Sequence, residues 1–215
     1  MNDKYELTNE TIQVGDVTLY RIKALKDFGT VKAGDLGGFI KCEENLSPIG
    51  NAWIYDNARV YDNARVYGNA LVWGNARVCD NTEVYGNARV YGNARVYGNA
   101  LVWDDARVYG NARVCDNTEV YGNTWVTGNV EVYGDAQLRC HKDILCIGPI
   151  GSRNGYTTVY RTPDGPFVTC GCFNGSLTEF EEKVKETHGD NKYAREYLAL
   201  IELAKIRFNK ENDDG

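Results

Sequence analysis

A six-residue unit repeats almost without variation from Ile54 to Gln137, and this repeat constrains the fold more than any other feature of the chain. Successive units begin at Val60, Val66 and Val72, and each continues with an aromatic residue, then Gly or Asp, Asn, Ala and most often Arg. A short period of this kind means that each unit can bury its apolar side only by stacking on copies of itself. The repeat therefore predicts a solenoid.

The order of residues within one unit predicts a short strand followed by a corner. Ala, Arg, Val and Tyr alternate between small or branched residues that suit the interior and longer residues that suit the surface. Gly-Asn or Asp-Asn then supplies a corner, because Gly, Asn and Asp tolerate a positive φ better than other residues.

These units resemble the hexapeptide-repeat left-handed β-helix, which has Val or Ile at the first position and Ala or Thr at the fifth. The repeated motif Asn-Ala-Arg-Val-Tyr and the segment Ala33–Ile40 are most similar to the YdcK-type β-solenoid branch found in enteric bacteria and phages. The resemblance covers roughly residues 20–147. It implies an all-β left-handed parallel β-helix, a triangular solenoid of about six coils in which residues eighteen apart stack, and a homotrimer. The fold hosts acyltransferases, carbonic anhydrases and proteins without known chemistry, so it does not fix the function.

The chain divides into three parts. Residues 1–35 are expected to form a capping segment with a strand at Thr18–Ala24, residues 36–147 the β-helix, and residues 148–215 a small α+β lobe with three strands and two helices. In the lobe, Ser176 to Glu179 is a capping box that opens a helix to about His188. A second amphipathic helix follows, at residues 192–208.

Composition excludes several classes of protein. A formal net charge of -6 argues against a general nucleic-acid binder. There is no apolar stretch long enough to span a membrane, and the acidic start of the chain does not suit a secretory signal. Seven cysteines in no disulfide-like spacing favour reduced thiols. We therefore expect a cytoplasmic protein, in the host cytoplasm if it is phage-encoded.

The eighteen-residue period sorts the outward residues onto three faces. The first face carries Arg59, Arg77, Arg95 and Arg113; the second carries Arg65, Glu83, Leu101 and Glu119; the third carries Trp53, Leu71, Arg89, Arg107 and Trp125. Aromatic residues, among them Trp73 and Trp103, follow the buried Val of many units.

The four arginines of the first face form a column of like charges, which destabilises adjacent strands. Solvation with stacking on Tyr, a subunit interface or an anionic ligand could offset the repulsion. The many outward aromatic residues favour an interface. Its predicted residues are Arg59, Arg77, Arg95, Arg113, Glu83, Glu119, Trp73 and Trp103.

Catalysis is not the favoured interpretation. Acyltransferases of this fold use a His at a subunit boundary, whereas this chain has only His141 and His188 and its repeats have no inserted loop. Carbonic anhydrases of the fold need three His ligands. Cys140, His141, Cys146, Cys170 and Cys172 could be considered a zinc site, but their spacing contains no CxxC pair. No catalytic residue, metal or cofactor is predicted.

Two glycine-bearing segments of the lobe suggest an anion site. Backbone N–H groups of residues 147–155 and of residues 170–175 could cradle an anion. The predicted ligand-binding residues are Ser152, Arg153, Tyr156, Arg161, Phe173 and His188, with the arginines supplying charge and the aromatic residues stacking on a ring. The alternative is a pair of ordinary tight turns, with the arginines docking the lobe through acids such as Glu179 or Asp190.

The sequence thus predicts a non-catalytic, trimeric binding protein, a phage-type accessory protein that captures a small anionic, nucleotide-like ligand or a protein partner through its C-terminal lobe. One alternative is a hexapeptide-repeat acyltransferase such as an acetyltransferase. The other is a rigid structural spacer that displays the lobe.

Overall fold

A computed structural model describes residues 2–209 of the chain. An N-terminal antiparallel hairpin leads into a β-solenoid of about six coils with parallel sheets, and a small lobe with an antiparallel sheet and two helices follows. The predicted solenoid with its α+β lobe is confirmed at this level. The left-handed sense of the solenoid stays a prediction.

Short strands make up most of the chain. The strands are β1 (Tyr5–Val14), β2 (Val17–Ala24), β3 (Leu36–Ile40), β4 (Trp53–Ile54), β5 (Arg59–Val60), β6 (Arg65–Val66), β7 (Leu71–Val72), β8 (Arg77–Val78), β9 (Glu83–Val84), β10 (Arg89–Val90), β11 (Arg95–Val96), β12 (Leu101–Val102), β13 (Arg107–Val108), β14 (Arg113–Val114), β15 (Glu119–Val120), β16 (Trp125–Val126), β17 (Glu131–Val132), β18 (Gln137–Leu138), β19 (Ile144–Ile150), β20 (Gly155–Thr162), β21 (Gly165–Cys170) and β22 (Phe173–Ser176). The helices are α1 (Leu177–His188) and α2 (Lys192–Arg207), and single 3₁₀ turns lie at Glu43–Asn45 and His141–Asp143.

The solenoid strands pair with strands one coil away, in the register that the repeat predicts. Arg77 lies opposite Arg59 on one side and Arg95 on the other, and Val78 pairs in the same way with Val60. The first face is the sheet β3-β5-β8-β11-β14-β17, extended at one edge by β2 and β1. The second face is β6-β9-β12-β15-β18, and the third face is β4-β7-β10-β13-β16.

The interior of the solenoid is one continuous apolar column. Val84, Val96 and Val102 are fully buried, and so are the small residues before the strands, such as Ala94. Burial of a Val side chain contributes roughly 1.5–3 kcal/mol, so the stack of inward valines holds the coils together.

Backbones of successive coils approach too closely at the corners for most side chains. Gly74 has a φ of 73°, and a Cβ there would lie 3.1 Å from the backbone nitrogen of Gly92. Glycine adopts this left-handed conformation at little cost. Where Asp replaces Gly, as at Asp80, its Oδ2 accepts a hydrogen bond from the backbone N–H of Gly98 at 2.9 Å.

The Asn residues that follow the corner residues form ladders of side-chain hydrogen bonds that run along the solenoid. The side-chain amide of one coil donates to the side-chain oxygen of the next, with distances of 2.9–3.4 Å. The three ladders are Asn51–Asn69–Asn87–Asp105, Asn63–Asn81–Asn99–Asn117–Asp135 and Asn75–Asn93–Asn111–Asn129. A hydrogen bond of this kind contributes about 0.5–1.5 kcal/mol, and the ladders favour the eighteen-residue register.

Many of the outward aromatic residues stack on one another within the chain. On the second face, neighbouring rings of Tyr67, Tyr85, Trp103 and Tyr121 lie within 5° of parallel, with centroids 4.4–5.8 Å apart. On the third face, Trp73, Tyr91 and Tyr109 form a second column with centroids 4.2–4.7 Å apart. Offset stacking of this kind stabilises the fold beyond the area it buries, so these residues have partners in the single chain.

The N-terminal hairpin of β1 and β2 covers the start of the solenoid. Trp53, expected on an outer face, is instead fully buried, because Tyr5 and Phe28 contact its ring edge-to-face with centroids 6.2 and 5.3 Å away. Buried Lys4 donates from Nζ to the carbonyl oxygens of Ser47 and Ala52 at 3.0 and 2.7 Å. The sequence analysis did not predict strand β1. This strand begins with Tyr5, which follows Lys4, and it forms one edge of the sheet that contains the first face.

A 3₁₀ turn that ends in a buried Asn or Asp lies at each end of the repeat. In the first 3₁₀ turn, Oδ1 of Asn45 accepts from the backbone N–H groups of Lys41 and Cys42 at 3.0 and 3.1 Å. In the second, Oδ2 of Asp143 accepts from the N–H groups of Arg139 and Cys140 at 2.8 and 3.1 Å. Both side chains are buried, and each satisfies backbone donors where the regular pattern ends.

The lobe sheet has the order β19-β20-β21-β22, with antiparallel pairing throughout. It has four strands, whereas the sequence predicted three, and it begins at Ile144, inside the range assigned to the solenoid. The additional strand β22 contains Asn and Gly, which have low strand propensity. It forms because β21 offers it an edge for pairing.

The helices follow the sequence prediction closely. Oγ of Ser176 accepts from the backbone N–H of Glu179 at 3.2 Å, and the Glu179 carboxylate accepts from the N–H of Ser176 at 2.8 Å. The second helix has Asn191 as its N-cap. In the part of the chain that the structure describes, no helix has the length and apolar character needed to cross a membrane.

We predict that Val96→Asp destabilises the solenoid by about 3–5 kcal/mol, because an unpaired carboxylate would be buried between coils. Arg95→Asp is the matched control on the same strand, since this side chain is exposed and lies opposite Arg77 and Arg113. Urea unfolding of both variants measures the effect. A similar loss in both would contradict the inward and outward assignment.

We predict a pH dependence of stability that comes from Lys4. Burial lowers the pKa of its ammonium from 10.5 to about 8, so between these values the unfolded chain binds more protons and the unfolding free energy rises with pH. The parent protein should therefore gain stability relative to Lys4→Met from about pH 8 towards pH 10. Urea unfolding at several pH values tests this, and a difference that does not change with pH would contradict it.

Candidate functional site

A groove opens on the C-terminal lobe, between the hairpin turns of the sheet and the two helices. Its volume is about 370 Å³, within the range of small-molecule sites. We call it the lobe groove, and its lining residues are Ser152, Arg153, Cys170, Cys172, Phe173, Phe180, Lys183, Val184, Thr187, His188 and Tyr197.

The structure brings four of the six predicted ligand-binding residues to this groove, namely Ser152, Arg153, Phe173 and His188. Tyr156 is 41% exposed and lines a neighbouring groove, which shares Arg153 with the lobe groove. Arg161 lines a third groove, which has no residue in common with the first.

The polar part of the lobe groove is cationic. Arg153 is exposed, and one of its terminal nitrogens contacts Sγ of Cys172 at 3.4 Å. A guanidinium has five N–H donors, so Arg153 can still bind an anion through two of them. Lys183 adds a second cation, although its Nζ also pairs with exposed Glu186 at 2.7 Å.

The apolar part of the lobe groove is a series of aromatic contacts. Phe173 lies against Phe180 with centroids 5.0 Å apart, and Phe180 contacts Tyr197 edge-to-face at 5.6 Å. The His188 ring stacks on Tyr197 at 5.7 Å. Burial raises the pKa of Tyr197 to about 12, so its hydroxyl stays protonated and able to donate at neutral pH.

The backbone cradles expected in the two glycine-bearing segments hold carboxylates of the chain itself. The N–H of Gly151 donates to Oε2 of Glu196 at 2.7 Å. The N-terminus of α1 is capped by Ser176 and Glu179. An external anion would therefore meet the side chains of the lobe groove and not these backbone donors.

Arg161 takes the docking role that was the alternative in the sequence analysis. Its Nε donates to Oδ1 of Asp143 at 2.8 Å, and the Asp143 side chain is only 2% exposed. The expected partners were Glu179 or Asp190. The buried acid at the end of the repeat is the partner here, and it joins the lobe to the last coil.

Two further contacts fix the lobe on the solenoid. Buried Tyr160 belongs to the solenoid core, and its hydroxyl donates to the carbonyl of Tyr133 at 3.2 Å. The Thr169 hydroxyl donates to the carbonyl of Glu131 at 3.1 Å. The first lobe strands thus continue the core of the last coils.

The four cysteines and the one histidine of the considered zinc site do not form a group of potential metal ligands in the described residues. Cys146 contacts the Thr158 hydroxyl, and Cys170 contacts the Thr157 and Tyr197 hydroxyls. The group of potential ligands that does form consists of Asp62, Cys79 and Asp80, whose atoms lie within 4.8 Å of one another. Partly exposed acids of this kind occur widely without a metal, so no site is assigned.

The predicted interface residues are already engaged to different degrees. Arg113 pairs with Glu131 at 2.9 Å, and Glu83 accepts from the Tyr67 hydroxyl at 2.7 Å. Trp73 and Trp103 lie in the aromatic columns.

Sequence reasoning missed Lys183, Thr187 and Tyr197 as groove residues. Lys183 and Thr187 are four residues apart and therefore share a face of α1, next to His188. This spacing was available as a signal. The side chain of Tyr197 is largely buried in the lobe core, and it also lines the groove.

Four segments of the chain match the family model described as YdcK Beta solenoid repeat, at residues 52–66, 64–80, 84–98 and 106–122. All four lie in the solenoid. No curated protein matches the chain. The repeats are therefore YdcK-type β-solenoid repeats, as the resemblance indicated, while their assignment to a phage or enteric branch stays a prediction.

Self-association as a homotrimer stays a prediction from the resemblance. Because many of the outward aromatic residues have partners within the chain, they no longer require a neighbouring subunit. Static light scattering at micromolar concentration should nevertheless give three chain masses if the resemblance extends to assembly. A single chain mass under these conditions would contradict the prediction.

Proposed function

We propose that this protein binds a small anionic ligand with an aromatic ring, nucleotide-like in its chemistry, in the lobe groove and without catalysing a reaction. The observation that carries the proposal is the lining of the groove, which combines the cations Arg153 and Lys183 with an aromatic wall. Among the described residues that line it, none is acidic.

The cationic side of the groove suits a phosphate or carboxylate. A guanidinium binds either group bidentately and stays charged at all physiological pH values. The Ser152 hydroxyl and the Tyr197 hydroxyl add neutral donors at the same groove.

The aromatic side suits a planar ring. Phe173 is half-buried and already tilts onto Phe180, so a ligand ring that stacks on it would extend an existing aromatic cluster. Base–aromatic stacking contributes about 1–3 kcal/mol per ring. A charge-assisted hydrogen bond to Arg153 would contribute about 1.5–3 kcal/mol in addition.

The arrangement favours binding over group transfer. In residues 2–209 no hydrogen bond joins His188 to Cys170 or Cys172, and a nucleophile needs a base within such reach. The other histidine, His141, is exposed on a 3₁₀ turn, and its carbonyl accepts from Arg207. An acyltransferase of this fold is therefore the weaker candidate.

A rigid spacer is the second candidate function, and the docking contacts favour it. Tyr160 in the solenoid core and the Arg161–Asp143 pair hold the lobe on the last coils. A stiff solenoid would then display the lobe groove at one end. Binding and display are compatible, and an accessory protein that sequesters its ligand would use both.

We expect at least one compound in a panel of mononucleotides, cyclic nucleotides, ADP-ribose derivatives and acetyl-CoA to raise the melting temperature of the parent protein. A ligand at one hundred times its Kd stabilises the folded state by about 2.7 kcal/mol. Arg153→Ala should abolish this shift and leave the melting temperature without ligand nearly unchanged. Arg195→Ala is the matched control, because Arg195 is exposed on α2 and does not line the groove.

Two outcomes would contradict the proposal. If Arg153→Ala lowers the melting temperature and no compound shifts the parent, Arg153 has a structural role and the groove is not a site. If acetyl-CoA alone shifts the parent and is consumed, the protein is a transferase.

A further inference from the structure

The first face of the solenoid carries a strip of positive charge on a protein that is acidic as a whole. Arg59, Arg77, Arg95 and Arg113 lie on consecutive coils and pair directly with one another. Neighbouring coils of a sheet are about 4.8 Å apart, so the strip places one guanidinium at nearly every such step along the solenoid axis.

This strip is not neutralised within the described chain. Arg113 has a carboxylate partner, Glu131, at 2.9 Å. In residues 2–209, no carboxylate lies within 4 Å of the Arg59, Arg77 or Arg95 side chains, and none of the three lies over an aromatic ring. Like charges directly opposite across strands destabilise a sheet, so the fold retains a repulsion that a bound anion would relieve.

A groove runs beside the strip, and nearly all of its lining can donate hydrogen bonds. Its volume is about 390 Å³. We call it the arginine groove, and it is lined by Arg77, Arg95 and Arg113, by the ladder Asn75–Asn93–Asn111–Asn129 and by Glu131. An Asn amide has two N–H donors, and the ladder uses one of them in Asn75, Asn93 and Asn111. Each of these coils therefore offers a guanidinium and a spare amide N–H.

The strip ends at an acidic residue on one side and at an aromatic residue on the other. Glu131 stands opposite Arg113 in the next coil. At the other end Phe39 pairs with Arg59, and Arg21 beside it is engaged by Glu10 at 2.8 Å. Three steps of about 4.8 Å separate the first arginine from the last, so the matching ligand is a short linear anion.

We propose that the arginine groove binds a linear oligophosphate chain, lying along the solenoid axis. A phosphate accepts a bidentate pair of hydrogen bonds from a guanidinium. A flexible chain with a charge on every link can bring one phosphate to each coil. An extended peptide fits less well, because its side chains on one face repeat every ~6.6 Å and lose register with the arginines.

The test measures binding of a short linear inorganic polyphosphate to the full chain by calorimetry at low salt, beside inorganic orthophosphate. We expect polyphosphate to bind, to bind much more tightly than orthophosphate, and to weaken steeply with added salt. The double variant Arg77→Gln with Arg95→Gln should weaken binding at least about tenfold, since two charge-assisted contacts are lost.

The chain contains a matched control for charge. Arg89 and Arg107 are also paired on neighbouring coils, but on the third face and outside the arginine groove. Arg89→Gln with Arg107→Gln removes the same charge and should leave polyphosphate binding nearly unchanged. Arg153→Ala removes a cation of the lobe groove, so polyphosphate binding that persists in this variant and is lost in Arg77→Gln with Arg95→Gln belongs to the arginine groove.

Three results would overturn the inference. Equal weakening by both double variants would show attraction to overall charge and no site. A fall in solution mass for the Arg77→Gln, Arg95→Gln variant without polyphosphate would make the strip a subunit contact. Tighter binding of single-stranded DNA than of polyphosphate, when compared per phosphate, would make the ligand a nucleic acid.

Discussion

Direct stacking of residues one coil apart is the constraint on which the rest of this structure depends. A strand of two residues cannot be stable alone, and each one is held by its parallel neighbours and by the apolar column inside. Because the register is fixed, whatever occupies a position in one coil lies against the same position in the next. The contact that a residue makes with its equivalent in the next coil is therefore repeated along the solenoid.

Repeating the same residue in adjacent coils stabilises the fold for some side chains and destabilises it for others. Asn gains from it, since each amide can donate to one neighbour and accept from another. Tyr and Trp gain as well, because their rings stack nearly parallel. Arg loses, because identical charges cannot satisfy one another. The first face thus holds an electrostatic cost that the Asn ladders and the buried Val column offset, and this cost makes it receptive to an anion.

The ends of the solenoid decide how much of the remaining chain is free for binding. At the start, the hairpin buries Trp53 and satisfies two backbone carbonyls through Lys4. At the other end, Asp143 binds both the turn that closes the repeat and Arg161 from the lobe. Arg161 is therefore part of the docking contact. Arg153 lies in an exposed turn, where its guanidinium contacts Cys172. The same residue type serves structure in one place and is available to a ligand in the other.

The lobe groove follows a similar logic. Two carboxylates near the turns accept hydrogen bonds from backbone N–H groups, Glu196 from Gly151 and Glu179 from Ser176. With these carboxylates turned to the backbone, none of the described residues that line the opening is acidic, and its charged side chains are the cations Arg153 and Lys183. The electrostatic character of the groove thus results from where the acids bind and not only from which residues surround it.

The sequence by itself determined the solenoid, its register and the faces on which Arg59, Arg77, Arg95 and Arg113 lie, because a six-residue period leaves a single way to bury Val and Ala. It also determined both helices of the lobe, since capping and amphipathic spacing are local signals. Only the tertiary structure decided that Trp53 is covered, that β22 joins the sheet and that Arg161 meets Asp143. Those outcomes depend on contacts between segments far apart in the chain, and no local pattern encodes such contacts. Arg153, Phe173 and His188, which the sequence analysis names as ligand-binding residues, line one groove, and Lys183 and Tyr197 join them through the packing of the helices on the sheet.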